Sequence, residues 1–129
     1  MTYYTPGQVA DQTGFSLDTI RYYEKIGLLP PIDRAPGGQR RFTDTDVRWL
    51  HLLRCLRETG MPIAAMLRFV ELTRDGADTI PDRVTMLEEH DHRVAKQLTL
   101  LHTHRQQIQG KIRYYRSLLP AISTDGRPG

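Results

Sequence analysis

Ser16-Leu17-Asp18-Thr19-Ile20-Arg21-Tyr22-Tyr23-Glu24-Lys25-Ile26-Gly27 carries the clearest fold signal in the chain. Ile20, Tyr23 and Ile26 recur every three residues, Ser16 is suited to cap a helix, and Asp18 favours its positive end. The spacing predicts a short helix with Tyr23 turned inward and Arg21 and Tyr22 pointing outward. Just upstream, Thr5-Pro6 suits the start of another short helix and Gly14 its end. Two short helices joined by a tight, glycine-containing turn outline a helix-turn-helix, whose second helix can enter a major groove. An outward arginine can fork onto a guanine edge or a phosphate, and an outward tyrosine hydroxyl can bond phosphate; plain solvation of both is the alternative.

Downstream, Arg34-Ala35-Pro36-Gly37-Gly38-Gln39-Arg40-Arg41-Phe42 is a Gly-Gly turn flanked by arginines and closed by an aromatic, which reads as a hairpin-like wing. Thr43 with Asp46 forms an acidic capping box, and Val47, Leu50, Leu53 and Leu56 continue a third helix towards Gly60. Ile63, Met66, Leu67 and Val70 mark a fourth, ending near Asp75-Gly76. Residues 1–75 are expected to form one winged helix-turn-helix DNA-binding domain in a mainly α chain. From Arg34 to Arg57 six arginines stand against two acids, an excess compatible with a polyanion, although a solvated face would look the same.

From Val84 the pattern changes. Val84, Leu87, Asp91, Val94, Leu98, Leu101, Arg105, Ile108, Ile112, Tyr115 and Leu119 alternate spacings of three and four, a heptad seam sustained for five repeats. A helix over 80–119 would be ~60 Å long, and nothing else in the chain is long enough to cover its apolar stripe. A coiled-coil homodimer is expected, with Val84, Leu87, Val94, Leu98, Leu101, Ile108 and Ile112 in the contact. Parallel pairing would oppose Asp91 to its own copy and Arg105 to its own copy, whereas antiparallel pairing centred near Leu98 brings the two together. Residues 120–129 are expected as a flexible tail.

The composition excludes several classes. At 129 residues, 39% hydrophobic and 26% charged, with a net charge of +3, the chain has the make-up of a soluble domain with a modest core. No apolar run approaches the ~18–20 residues of a membrane span, and MTYYTPGQVADQ has neither a basic nor an apolar leader region, so a cytoplasmic protein without a membrane partner is expected. Cys55, the sole cysteine, permits no internal disulfide and no thiolate zinc cluster. His90 with His92, and His102 with His104, are i,i+2 pairs on different helix faces and are expected as solvated positions. No metal and no cofactor is expected. A phosphate-cradling glycine loop, a zinc-binding helix motif and a serine elbow are all missing, which argues against an enzyme.

Thr19-Ile20-Arg21-Tyr22-Tyr23-Glu24-Lys25-Ile26-Gly27-Leu28-Leu29, Gly38-Gln39-Arg40-Arg41-Phe42, Asp46-Val47 and Thr59-Gly60-Met61-Pro62-Ile63, in this order, resemble the MerR family of bacterial transcriptional regulators. The resemblance implies a winged helix-turn-helix followed by an antiparallel coiled coil in a homodimer. It implies binding to double-stranded, pseudo-palindromic promoter DNA whose elements are spaced too far apart. The regulator would bend and untwist that DNA so that RNA polymerase, engaged only through the promoter, can use both elements. The family contacts carry over to Ser16, Thr19, Arg21 and Tyr22 and, on the wing, to Arg40 with its neighbours Gln39 and Arg41. Gln39 stands where an aromatic is common, and Phe42 replaces the usual tyrosine and is expected to pack the wing.

The resemblance also bears on the signal. Metal-sensing members carry a cysteine near the start of the dimer helix and a cysteine loop after it, and this sequence has neither. Drug-sensing members append a large ligand-enclosing domain, whereas ten residues, Pro120 to Gly129, follow the seam here. Arg54-Cys55-Leu56-Arg57 resembles the aldehyde- and thiol-stress-responsive branch, which implies Cys55 as an effector site. His51 one turn earlier and the flanking arginines are groups that favour a thiolate. The alternatives are an inert, half-buried cysteine in a regulator with a non-covalent effector or none, and, in another class, a dimerising adaptor that does not bind DNA.

Overall fold

The computed structural model describes residues 2–125, with side chains described through residue 119. Helices α1 (Pro6–Thr13), α2 (Leu17–Ile26), α3 (Asp44–Glu58) and α4 (Ile63–Arg74) lead through a 3₁₀ turn at Ala77–Thr79 into α5 (Ile80–Asp125). The caps explain the starts. Thr5 Oγ1 accepts the Gln8 N–H at 3.1 Å while Gln8 Oε1 accepts the Thr5 N–H at 2.8 Å. Thr43 and Asp46 make the reciprocal pair expected for α3, at 3.2 and 2.9 Å. Gly14 ends α1 at φ 78°, and its N–H reaches back to the Ala10 carbonyl.

Contact density divides the chain into Met1–Leu87 and Glu88–Gly129, so the division falls inside α5, later than the residue 75 taken from the sequence. In the first unit α1 to α4 enclose a core that includes Val9, Ile20, Leu28, Leu29, Phe42, Leu50, Leu53 and Met66. Tyr23 is buried as its spacing predicts, with its ring edge-on to Phe15 at 5.3 Å. Trp49 Nε1 donates to the Leu28 carbonyl at 2.9 Å, and the indole stacks on Phe69 at 6.0 Å.

The wing is tied down by two isolated antiparallel bridges, Tyr4 with Phe42 and Arg34 with Arg40. Phe42 is fully buried, which bears out its packing role.

In the second unit α5 continues as helix to Asp125, beyond the expected end at 119. The expected tail therefore overlaps the helix as far as Asp125, and its last residues, 126–129, lie outside the described residues. His90 departs from its expected solvation: it is 6% exposed, while His92, His102 and His104 are exposed. No helix among the described residues is long and apolar enough to cross a membrane.

Candidate nucleic-acid interface

The N-terminal turn of α2 carries the first predicted contacts. Ser16 Oγ accepts the Thr19 N–H at 3.1 Å and donates to Thr19 Oγ1 at 2.9 Å, so the two hydroxyls sit together at the helix start. Recognition helices contact base edges with this end. Arg21 and Tyr22 are exposed as expected; Arg21 Nη1 lies 3.4 Å from Asp18 Oδ1, a loose pair in open solvent that leaves the guanidinium available.

Across from α2, the wing holds its arginines by their own bonds. Gly38 takes φ 88° at the tip, and its carbonyl accepts from Arg34 Nη1 at 2.8 Å. Arg40 Nε donates to Glu24 Oε1 at 2.8 Å, reaching back to α2. Arg41 Nε donates to Asp33 Oδ2 at 2.8 Å, and its guanidinium lies over the Tyr3 ring at 4.2 Å. A groove of about 360 Å³ opens between the wing and α2, lined by Leu17, Ile20 and Arg21 on one side, Arg34, Gln39, Arg40 and Phe42 on the other, and Thr5 and Pro6 at the start of α1.

The structure thus gathers Arg21, Gln39 and Arg40 around one groove. Ser16, the cap of α2, and Thr19 and Tyr22 on that helix lie outside that lining, and Arg41 is braced against Asp33 and Tyr3. Arg34, one of the arginines flanking Gly37-Gly38, also lines the groove, placed there by the wing's own turn. Glu24 was not singled out from the sequence; it joins through Arg40, sixteen residues away, a contact that no local spacing rule encodes.

Charge follows these bonds. Partial burial pushes the Glu24 carboxyl up, but the Ile32 N–H and the Arg40 guanidinium outweigh it and hold the group below its ordinary value. The Arg41 hydrogen bond likewise holds Asp33 low, and Tyr4, whose hydroxyl donates to Asp44 at 2.7 Å, is raised.

Not every arginine in the basic stretch serves the groove. Arg54 pairs with Glu58 and donates to the Thr13 carbonyl across the helix-turn-helix turn. Cys55 is an exposed thiol on α3, not a half-buried one; its carbonyl accepts the Thr59 hydroxyl at 2.7 Å. Among the described residues no group of three or more His, Cys, Asp or Glu side chains could hold a metal ion. A separate apolar cavity of about 500 Å³ opens beside Trp49, Leu52 and Val70 and contains none of the predicted DNA contacts.

Known proteins share this architecture. Residues 4–71 match the MerR HTH family regulatory protein family. An uncharacterized HTH-type transcriptional regulator of Haemophilus influenzae is 40% identical over 112 residues, 87% of this chain and 83% of the relative. The HTH-type transcriptional regulator AdhR of Bacillus subtilis is 34% identical over 87 residues, 67% of this chain and 62% of its own length. The crystal structure of HiNmlR, a MerR family regulator lacking the sensor domain and bound to promoter DNA, superposes with a TM-score of 0.88 at 38% identity, covering 93% of this chain and 91% of that one. A MerR family transcriptional regulator from Bacillus thuringiensis gives 0.79 at 33% identity, with 88% and 99% covered.

Proposed function

The chain belongs to the MerR family of helix-turn-helix regulators, and from that premise we propose how it acts: as a homodimer on a pseudo-palindromic operator, with α2 in the major groove and the wing on the adjoining backbone. It is a DNA-binding transcriptional regulator and not an enzyme, and an adaptor without DNA affinity is not favoured. The observation that carries the docking is the groove in which Arg21 of α2 converges with Arg34 and Arg40 of the wing. Ser16, Thr19, Arg21 and Tyr22 read or align on the groove edge, and Gln39, Arg40 and Arg41 address the backbone. RNA polymerase is engaged through the distorted promoter, and the protein works in the cytoplasm.

Pairing of α5 supplies the two-fold axis of the operator, through the seam from Val84 to Ile112. The helix is charged asymmetrically: over residues 80–91 Asp82, Glu88, Glu89 and Asp91 outnumber Arg83, whereas residues 105–116 carry Arg105, Lys111, Arg113 and Arg116 and no acid. Antiparallel pairing sets each acidic stretch beside the partner's basic one. Arg40→Ala tests the docking; it should weaken duplex binding by ~1–3 kcal/mol and lower the salt slope by about one, while unchanged affinity and slope would remove the wing from the interface.

The exposure of Cys55 favours a signal-sensing role. Its thiol adds across an aldehyde carbonyl, forming an S–C bond while the thiol proton ends on the carbonyl oxygen. In vitro transcription should respond to formaldehyde or methylglyoxal with the wild type and not with Cys55→Ser. Equal responses would demote Cys55 to a surface residue and direct attention to the apolar cavity beside Trp49.

A further inference from the structure

Glu24 is an acid bonded to Arg40, which lines the groove between α2 and the wing. Its side chain is 19% exposed and that of Arg40 28%, so the pair is largely withdrawn from solvent without being sealed. One carboxylate oxygen accepts from Arg40 Nε at 2.8 Å, and the other accepts the Ile32 N–H at 3.0 Å. Ile32 is buried at the entry of the wing and Arg40 lies in its returning arm, so a single α2 side chain ties both arms to the recognition helix. The guanidinium has five N–H donors, of which the Nε bond uses one. The η nitrogens make no hydrogen bond among the described residues, while Arg40 lines the groove.

We propose that Glu24 is the positioning residue of the interface, holding Arg40 so that the free edge of its guanidinium is set for a backbone phosphate before DNA arrives. A long arginine fixed in advance has less rotamer freedom to lose on binding, which offsets the repulsion between the carboxylate and the phosphate. The proposal rests on the DNA-binding reading above. It also makes a prediction opposite in sign to simple electrostatics, under which deleting an acid beside a polyanion tightens binding.

The test is a double-mutant cycle with the full-length chain on an inverted-repeat duplex selected from a random library, measuring affinity and phosphate-ethylation interference. Glu24→Ala should weaken binding about tenfold in the wild-type background, the scale of one charge-assisted hydrogen bond. In an Arg40→Ala background the same change should leave affinity unchanged or tighten it, because only the repulsive acid is then removed. The interference pattern of Glu24→Ala should lose the same phosphates as Arg40→Ala and keep those under α2.

Glu24→Gln guards against misfolding, since it keeps the size of the side chain yet turns an NH2 towards one of two donors. It should shift affinity in the same directions by a smaller factor. Equal weakening in both backgrounds, or no weakening in the wild type, overturns the positioning role while an effect of Arg40→Ala leaves the DNA reading standing. If Arg40→Ala is itself silent, the wing reading and this proposal fall together.

Discussion

Leucines are treated in opposite ways by the two units of the chain. In the first, Leu28, Leu50 and Leu53 are 0% exposed, and Val9, Phe42 and Met66 are sealed with them. On α5, Leu98, Leu101 and Ile108 are 63%, 64% and 61% exposed, although they lie on a regular seam. The first unit meets its hydrophobic requirement within one chain. Under the proposed pairing the seam of α5 is covered by the same helix of a second copy, so burial there would be intermolecular and would depend on concentration. On that reading recognition and assembly are separated: the groove of one copy is formed by packing within its first unit, while the pairing of two grooves on an operator would depend on a second set of contacts.

Substitutions should break this contrast in graded fashion. The largest effect is expected from Leu98→Asp, which places a carboxylate in the centre of the dimer seam. The dimer dissociation constant should rise by ~100-fold or more in sedimentation equilibrium, with the Trp49 fluorescence of the first unit unchanged. An intact dimer would contradict a seam centred near Leu98.

Next comes Leu50→Ala, which opens a cavity in the closed core and should lower unfolding stability by ~2–5 kcal/mol in denaturant titrations. Leu101→Ala, the same truncation on α5, should instead shift a transition that moves with protein concentration. A concentration-independent loss for both would erase the distinction.

Gly14→Ala sharpens the picture of the recognition unit. Gly14 holds φ 78°, and a Cβ there would meet the Arg54 guanidinium that reaches the Thr13 carbonyl. A loss of ~1–3 kcal/mol is expected in the same titrations, with duplex affinity falling in step.

The smallest effect is that of pH. Glu24 and Asp33 are held below their ordinary values in the folded protein, so they bind fewer protons folded than unfolded over the acidic range. Their stabilisation is present in full at neutral pH and is lost as pH falls through their folded values, which lie below those of the unfolded chain. Thermal melts should show Glu24→Gln losing part of that acid sensitivity, and an unchanged profile would remove Glu24 from the account.

What the sequence made legible follows the range of its rules. Thr5, Ser16 and Thr43 announce helix starts because a cap bonds within three residues, and Gly14 announces a stop because the left-handed turn favours it. The seam was legible because a heptad repeats regardless of what covers it. Glu24 with Arg40, sixteen residues apart, and Arg54 with Thr13, forty-one apart, were not, since tertiary packing alone brings them together. Of the predicted contacts, Arg21, Gln39 and Arg40 share one groove because α2 and the wing converge there; Arg41, adjacent in sequence, turns to Asp33 and Tyr3. His90 shows the limit of a helical wheel: its i,i+2 spacing to His92 suggests a solvated position, yet it is 6% exposed.

On this reading two copies of the chain read an inverted repeat through α2 and the wing. Selection of bound duplexes from a random library by the full-length protein, followed by salt titration of the winners, tests it most directly. An inverted repeat is expected, with affinity falling steeply and linearly in log–log form as salt rises. No enriched sequence, a single unrepeated half-site, or affinity indifferent to salt would contradict it.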